Sequence, residues 1–149
     1  MRIPTRQPSK ANRLRVSGVV GQVVPLKMSL SDDAALAAAV SGADWVINLV
    51  GILAETRKQK FETLHAELPG RIAKACAEAG VRSLVHVSAI GASAESASKY
   101  AKTKAAGEEA VRQAFPDATI LRPSVVFGPE DDFLNRFGQM SMLSPALPL

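Results

Sequence analysis

The chain is poor in the residues that most often announce a chemistry. Among its 149 residues there is a single cysteine, Cys76, so no internal disulfide can form. That thiol falls near the apolar set Leu64, Leu68, Ile72 and Ala79 of a helical stretch, where packing outweighs reactivity. The two histidines, His65 and His86, have no cysteine or acidic partner at metal-ligand spacing, which argues against a metal centre. No run approaches the roughly 20 apolar residues of a membrane span, and no signal-peptide core is present. The ten glycines nowhere fall into a G-x-x-G-x-x-G spacing. Acidic residues are missing from the start: Arg2, Arg6, Lys10, Arg13, Arg15 and Lys27 all precede the first acid, Asp32. The remainder holds 12 of the 18 basic residues against all 14 acidic ones, so the net charge of +4 belongs to the opening segment alone.

Three readings of that basic start compete. A transit peptide is Arg-rich and acid-poor, but Pro4 and Pro8 interrupt its amphipathic helix. A nucleic-acid arm needs aromatic rings interleaved with its cations, and none occurs there. The third reading places Arg6 at the end of a short strand, as a cation awaiting an anionic ligand.

What the chain does contain is an alternation of short apolar strands and helices, with no low-complexity linker. Apolar residues make up 47% and charged residues 21% of it, a soluble α/β composition. Strands are expected at residues 3–6, 22–26, 44–50, 84–88 and 119–121. Helices are expected from a Ser31 cap through about Val40, with Asp32 and Asp33 suiting the helix dipole, and over 61–79 and 98–113. Gly80 supplies a stop for the second helix, and Pro69 divides it into two pieces. Alternation of this kind favours a parallel sheet.

The most informative pair is Tyr100 and Lys104. Four residues apart on a helix, a phenol and an ammonium point into one site, and the ammonium is expected to lower the tyrosine pKa toward proton-transfer range. Upstream, Val81-Arg-Ser-Leu-Val-His-Val-Ser88 is a buried strand ending in a hydroxyl; downstream, Ala118 to Pro129 carries the next strand and an Arg-Pro-Ser sequence. Earlier, Ala43-Asp-Trp-Val-Ile-Asn-Leu-Val-Gly51 closes a strand on a glycine, where a backbone can approach a ligand.

Strand, hydroxyl, Tyr and Lys on a helix, strand, then Arg-Pro-Ser resembles the extended and atypical short-chain dehydrogenase/reductase family. Four segments taken in order narrow the resemblance: Asn48-Leu-Val-Gly-Ile-Leu53, His86-Val-Ser-Ala-Ile-Gly-Ala92, Tyr100 to Glu108, and Leu121 to Phe137. Together they are similar to the nucleotide-binding accessory subunits of respiratory complex I (NADH:ubiquinone oxidoreductase) and their bacterial relatives, over nearly the whole chain. The resemblance implies an incomplete Rossmann-like, doubly wound parallel sheet over residues 1–149. It implies NADPH rather than NAD as cofactor, because Arg6 stands where a 2′-phosphate is met. It implies that Leu49, Val50 and Gly51 line the cofactor, that Ser88, Tyr100 and Lys104 surround the nicotinamide and its ribose, and that Pro123, Ser124, Val125 and Val126 flank the carboxamide. Ser29 stands where relatives tend to carry Asp or Asn near the adenine, and the loop 91–98 names no substrate.

Two functions from different classes follow from the resemblance. One is a subunit of complex I in which the cofactor is mainly structural, located in the bacterial cytoplasm, on the cytoplasmic face of the inner membrane, or on the mitochondrial matrix side. The other is an NADP-dependent oxidoreductase, epimerase or dehydratase with Tyr100 as general acid or base. A cofactor-sensing regulator is a weaker third. Family members open with a strand, glycine-rich turn and helix, and Met1 to Arg6 resembles the second strand of the family rather than the first. The chain therefore reads as an internal piece of a longer protein. Cooperative unfolding of the isolated chain, with a normal sheet signal by circular dichroism, would overturn that expectation.

Overall fold

The computed structural model describes residues 1–128, together with residues 135 and 138. The part of the expected match that runs over residues 129–134, 136 and 137 lies outside the described residues. Among the described residues there are five short strands: β1 (Arg2–Thr5), β2 (Val24–Lys27), β3 (Trp45–Asn48), β4 (Ser83–Val87) and β5 (Thr119–Leu121). Four α-helices alternate with them: α1 (Pro8–Ala11), α2 (Asp33–Val40), α3 (Leu68–Glu78) and α4 (Lys99–Ala114). Neither α1 nor the 3₁₀ segment Asn12–Ser17 that follows it is foreseen from the sequence. No helix among the described residues is long and apolar enough to cross a membrane.

All strand pairings are parallel, but they form two sheets, β1–β2 and β3–β4–β5. The split separates β1 and β2 from β3, β4 and β5. In the smaller sheet, Val24 N–H donates to Met1 and Met28 N–H to Thr5. The register sets Arg2 opposite Val24 and Thr5 opposite Lys27, the hydrogen bonds join odd residues of the first strand to even ones of the second, and Pro4 and Pro25 turn their missing donors away from the ladder.

Alternation along β3 and β4 decides which face is covered. Val46, Asn48, Leu84 and His86 point one way; Leu84 and Val46 pack with Leu36, Val40, Leu68, Ile72, Ala73, Cys76 and Val111 from the helices. Trp45 and Ile47 point the other way and are 67% and 59% exposed. One face of the larger sheet therefore carries helices, and the other presents apolar side chains to solvent. Cys76, fully buried with its thiol pushed up to about 11 by burial, belongs to the core, as its apolar neighbours in sequence implied.

Helix α2 is capped one residue later than expected. Asp32, not Ser31, accepts from Ala35 N–H, because its extended backbone leaves the carboxylate over the first turn. Asp33 instead pairs with Arg71 at 2.6 Å. The expected helix over 61–79 is divided, as Pro69 required. Residues Glu62–Glu67 form a widened π turn, and α3 starts at Leu68, which places Pro69 in the first turn where no donor is needed. Pro69 has no N–H to donate to the His65 carbonyl four residues back. That carbonyl abuts α4 so closely that a Cβ added at Gly107 would lie 1.9 Å from the oxygen. Gly70 is similarly tight against Ala110, at 2.9 Å. Gly107→Ala is expected to force α3 and α4 apart and to cost about 3 kcal/mol, read as a lowered urea midpoint.

Candidate functional site

The C-terminal ends of β1, β2 and β3 converge on one cavity of about 380 Å³. Thr5 and Arg6 enter from β1, Met28 and Ser29 from β2, and Leu49, Val50, Gly51 and Ile52 from β3. Lys58, Gln59, Leu64, Leu68 and Arg71 complete its wall, and no acidic residue is among the described lining. Arg71 is held in place by Leu30 O at 2.9 Å and by Asp33, so its charge is partly committed. Arg6, Ser29 and the 49–51 segment thus line the same cavity.

A second cluster lies behind Gly51. A Cβ added there would sit 3.5 Å from Lys104 Nζ and 3.8 Å from His65 Nε2, so a methyl at this position would make ordinary van der Waals contact with both side chains. Helix α4 buries Thr103, Lys104, Gly107, Glu108 and Val111 along one stripe, an unusual helix face that sinks a Lys and a Glu into the interior. Lys104 Nζ donates to Val87 O at 3.3 Å, and burial pulls its pKa down, opposed by the nearby Glu108 carboxylate.

Glu108 is fully buried and binds Arg122 twice, at 2.8 and 2.6 Å, and Arg112 at 3.1 Å. Burial alone would raise its pKa; hydrogen bonds from Arg122 lead the opposing effects and bring it down to about 2. Ser88, 4% exposed, lies near enough to help hold the carboxylate ionised, yet its geometry falls short of a hydrogen bond and its hydroxyl has no partner among the described residues. Ser88 N–H fixes the strand end instead by donating to Leu121 O at 2.7 Å.

Both histidines join this cluster. Asn48 Oδ1 accepts from Val50 N–H at 3.0 Å, so its amide nitrogen faces His86 Nδ1 at 3.1 Å and donates to it. The His86 proton is then on Nε2. His65 Nε2 accepts from Ile52 N–H at 3.0 Å, which puts its proton on Nδ1. His65 Nδ1 and His86 Nε2 have no partner among the described residues. Burial first, and then the Lys104 charge, push both imidazoles down to about 4, so both are neutral at pH 7.

Tyr100 departs from expectation. Its ring lies edge-on to Phe61, centroids 5.7 Å apart, and to His65, at 5.2 Å, and burial pushes its pKa up rather than down. Desolvation of the phenol is the cause of the shift. The Pro123–Val126 segment is not part of the cavity wall: Pro123 O accepts from Ile90 N–H at 2.8 Å, and Ser124, Val125 and Val126 are exposed. Sequence reasoning missed the roles of His65, His86 and Arg122. Glu108 was recoverable, since it extends the Tyr100–Lys104 spacing by one more turn; His65 carried no local signal.

A model of the NAD(P)H-binding family matches residues 2–132. The chain belongs to the NAD(P)H-binding family. It is 45% identical over 83% of its length to NADH dehydrogenase [ubiquinone] 1 alpha subcomplex subunit 9, mitochondrial, of Rattus norvegicus, of which it covers 33%. It is 35% identical over 72% of its length to the ceramide reductase of Caulobacter vibrioides, of which it covers 34%. The chain thus spans about a third of the length of these relatives. Among solved structures it is similar to Citrobacter sp. triphenylmethane reductase complexed with NADP(H), with a TM-score of 0.70 at 22% identity, over 95% of this chain and 45% of that one. That likeness shows a Rossmann-like fold, which among the described residues forms two parallel sheets.

Acid should undo this site from two directions. The imidazoles have folded pKa values below their ordinary 6.5, so stability present above 6.5 is lost as pH falls toward 4. Glu108 adds stability present above 4.5 that is lost as pH falls through about 2. Glu108→Gln is expected to cost about 2 kcal/mol at pH 7 and to flatten the stability curve below pH 4.5, as read by urea unfolding across pH.

Proposed function

We propose that the cavity at the ends of β1–β3 takes the adenosine half of a nicotinamide dinucleotide, NADPH in preference to NADH, and that the cofactor serves mainly to hold the fold together. The observation that carries this reading is the cavity's one-sided charge: Arg6, Lys58 and Arg71 line it, and no carboxylate among the described lining is there to hold an unphosphorylated ribose. Arg6 meets the 2′-phosphate, and Ser29 offers one hydrogen bond toward the adenine. Leu49 and Val50 form an apolar wall, and Gly51 gives the closest backbone approach. Tyr100 and Lys104 lie on the ribose side behind Gly51, with Ser88 deeper, and Pro123 to Val126 flank the carboxamide end.

When bound, such a cofactor supplies a transferable hydride. The residues present favour binding over turnover. The Tyr100 phenol is pushed up in pKa, and the Ser88 hydroxyl is buried beside Glu108 rather than open to a substrate carbonyl. Similarity to the rat complex I subunit supports a role for the parent protein as an accessory subunit of that assembly. It would then lie on the matrix side of a mitochondrion, or in the cytoplasm or at the inner membrane face of a bacterium. A second reading, an NADP-dependent reductase, draws on the Caulobacter ceramide reductase and on the presence of Ser88, Tyr100 and Lys104 together.

Thermal unfolding of the 149-residue chain with each cofactor tests the first reading. NADPH at about 100 times its Kd should stabilise the chain by about 2.7 kcal/mol, and NADH by less. Arg6→Ala should bring the two cofactors level, while Gly51→Ala should leave the free chain unchanged and weaken both. Equal stabilisation by NADH and NADPH in the unmutated chain would remove the phosphate preference. Tyr100→Phe separates the two functions: NADPH affinity kept, with no carbonyl turnover to lose, supports the structural role. Loss of a measurable turnover supports the reductase.

A further inference from the structure

We propose that His65 is the positioning residue of the site: its imidazole fixes the Gly51–Ile52 turn against Lys104, and so sets where the cavity floor lies. Three observations converge on it. Nε2 accepts the Ile52 amide at 3.0 Å, an interaction that spans 13 residues and ties the loop leaving β3 to the turn preceding α3. The same nitrogen lies 3.8 Å from the position of a Gly51 Cβ, with Lys104 Nζ at 3.5 Å on that position too. The loop at Gly51 thus packs beside both side chains, and the Ile52 hydrogen bond ties it to the His65 ring. The ring itself cannot shift easily. It is stacked on Phe61 at 5.1 Å, meets Tyr100 edge-on at 5.2 Å, and is 1% exposed.

The backbone holds His65 as firmly as the ring does. It sits in the widened turn Glu62–Glu67, and its carbonyl abuts Gly107 of α4. Such turns commonly re-aim a side chain within a helix at functional positions. The Ile52 N–H also imposes a tautomer, since an acceptor is required at Nε2. A neutral imidazole does this, and a phenyl ring of similar size does not.

The consequence for ligand affinity rests on the dinucleotide-binding reading above; the placement of the loop does not. The experiment therefore reads both in the 149-residue chain and its His65→Phe and His65→Gln variants. Glutamine keeps an acceptor near the place of Nε2, whereas phenylalanine keeps the packing and removes it. Ile52 amide exchange by NMR should quicken roughly tenfold in His65→Phe and return toward its original rate in His65→Gln, as expected for one lost hydrogen bond. NADPH affinity should follow the same order, weakening roughly tenfold and recovering, while a purely structural loss would lower the melting temperature of both variants and track neither readout. Unchanged Ile52 exchange in His65→Phe overturns the proposal. If the unmutated chain binds no NADPH but Ile52 exchange still responds, the dinucleotide reading falls and the positioning role stands. Nitrogen-15 shifts of His65 in the unmutated chain give an independent check: a proton on Nδ1 supports the assignment, and a proton on Nε2 overturns it even if neither variant folds.

Discussion

Lys104 and Glu108 sit one turn apart on the buried face of α4, and the geometry of the site depends on the need to satisfy both charges away from water. Lys104 reaches the last carbonyl of β4 and stands behind the loop leaving β3. Glu108 reaches across to Arg122, just after β5. One helical face therefore registers the C-terminal ends of three parallel strands. A buried ion left unpaired is costly, so each contact is held by the penalty for losing it. Arg112 and Arg122 keep half of their surface in water, which leaves Glu108 as the only fully dehydrated member of that group.

The same constraint explains the state of the neighbouring side chains. An ammonium held in the interior lowers the proton affinity of every basic group near it. Both imidazoles stay neutral, and each then makes one well-directed hydrogen bond as an acceptor, to Asn48 and to Ile52. The phenol of Tyr100 gains nothing comparable. Its ring packs edge-on against Phe61 and His65, and its loss of water pushes its pKa up. An interior whose buried charges are held by their neighbours, beneath a cationic rim, supports the proposed role of holding a polyanionic cofactor.

Much of the architecture was legible before any coordinates. The alternation of short strands and helices, the break at Pro69, the stop at Gly80 and the strand 119–121 follow from periodicity and from what Pro and Gly do to a backbone. Arg6, Val50 and Gly51 fall on one cavity because parallel strands deliver their C-terminal ends to the same side of a sheet. The cap at Asp32 rather than Ser31 was not legible, since both can accept an amide and the choice turns on a backbone angle. Nor was the exposure of Trp45 and Ile47, because an apolar strand reads the same whether one face or both are covered.

What the sequence by itself determined was the order of elements and the identity of the groups delivered to the strand ends: the cation at Arg6, the glycine at 51, and the spacing that stacks Tyr100, Lys104 and Glu108 on successive turns. These are local properties, set by residue type and by the period of a helix or strand. Only the tertiary structure decided which groups are charged and which way they face. His65 lies 13 residues from Ile52, His86 lies 38 from Asn48, and Glu108 lies 14 from Arg122. Contacts of that range leave no periodic trace, and a pKa depends on burial that no single segment contains.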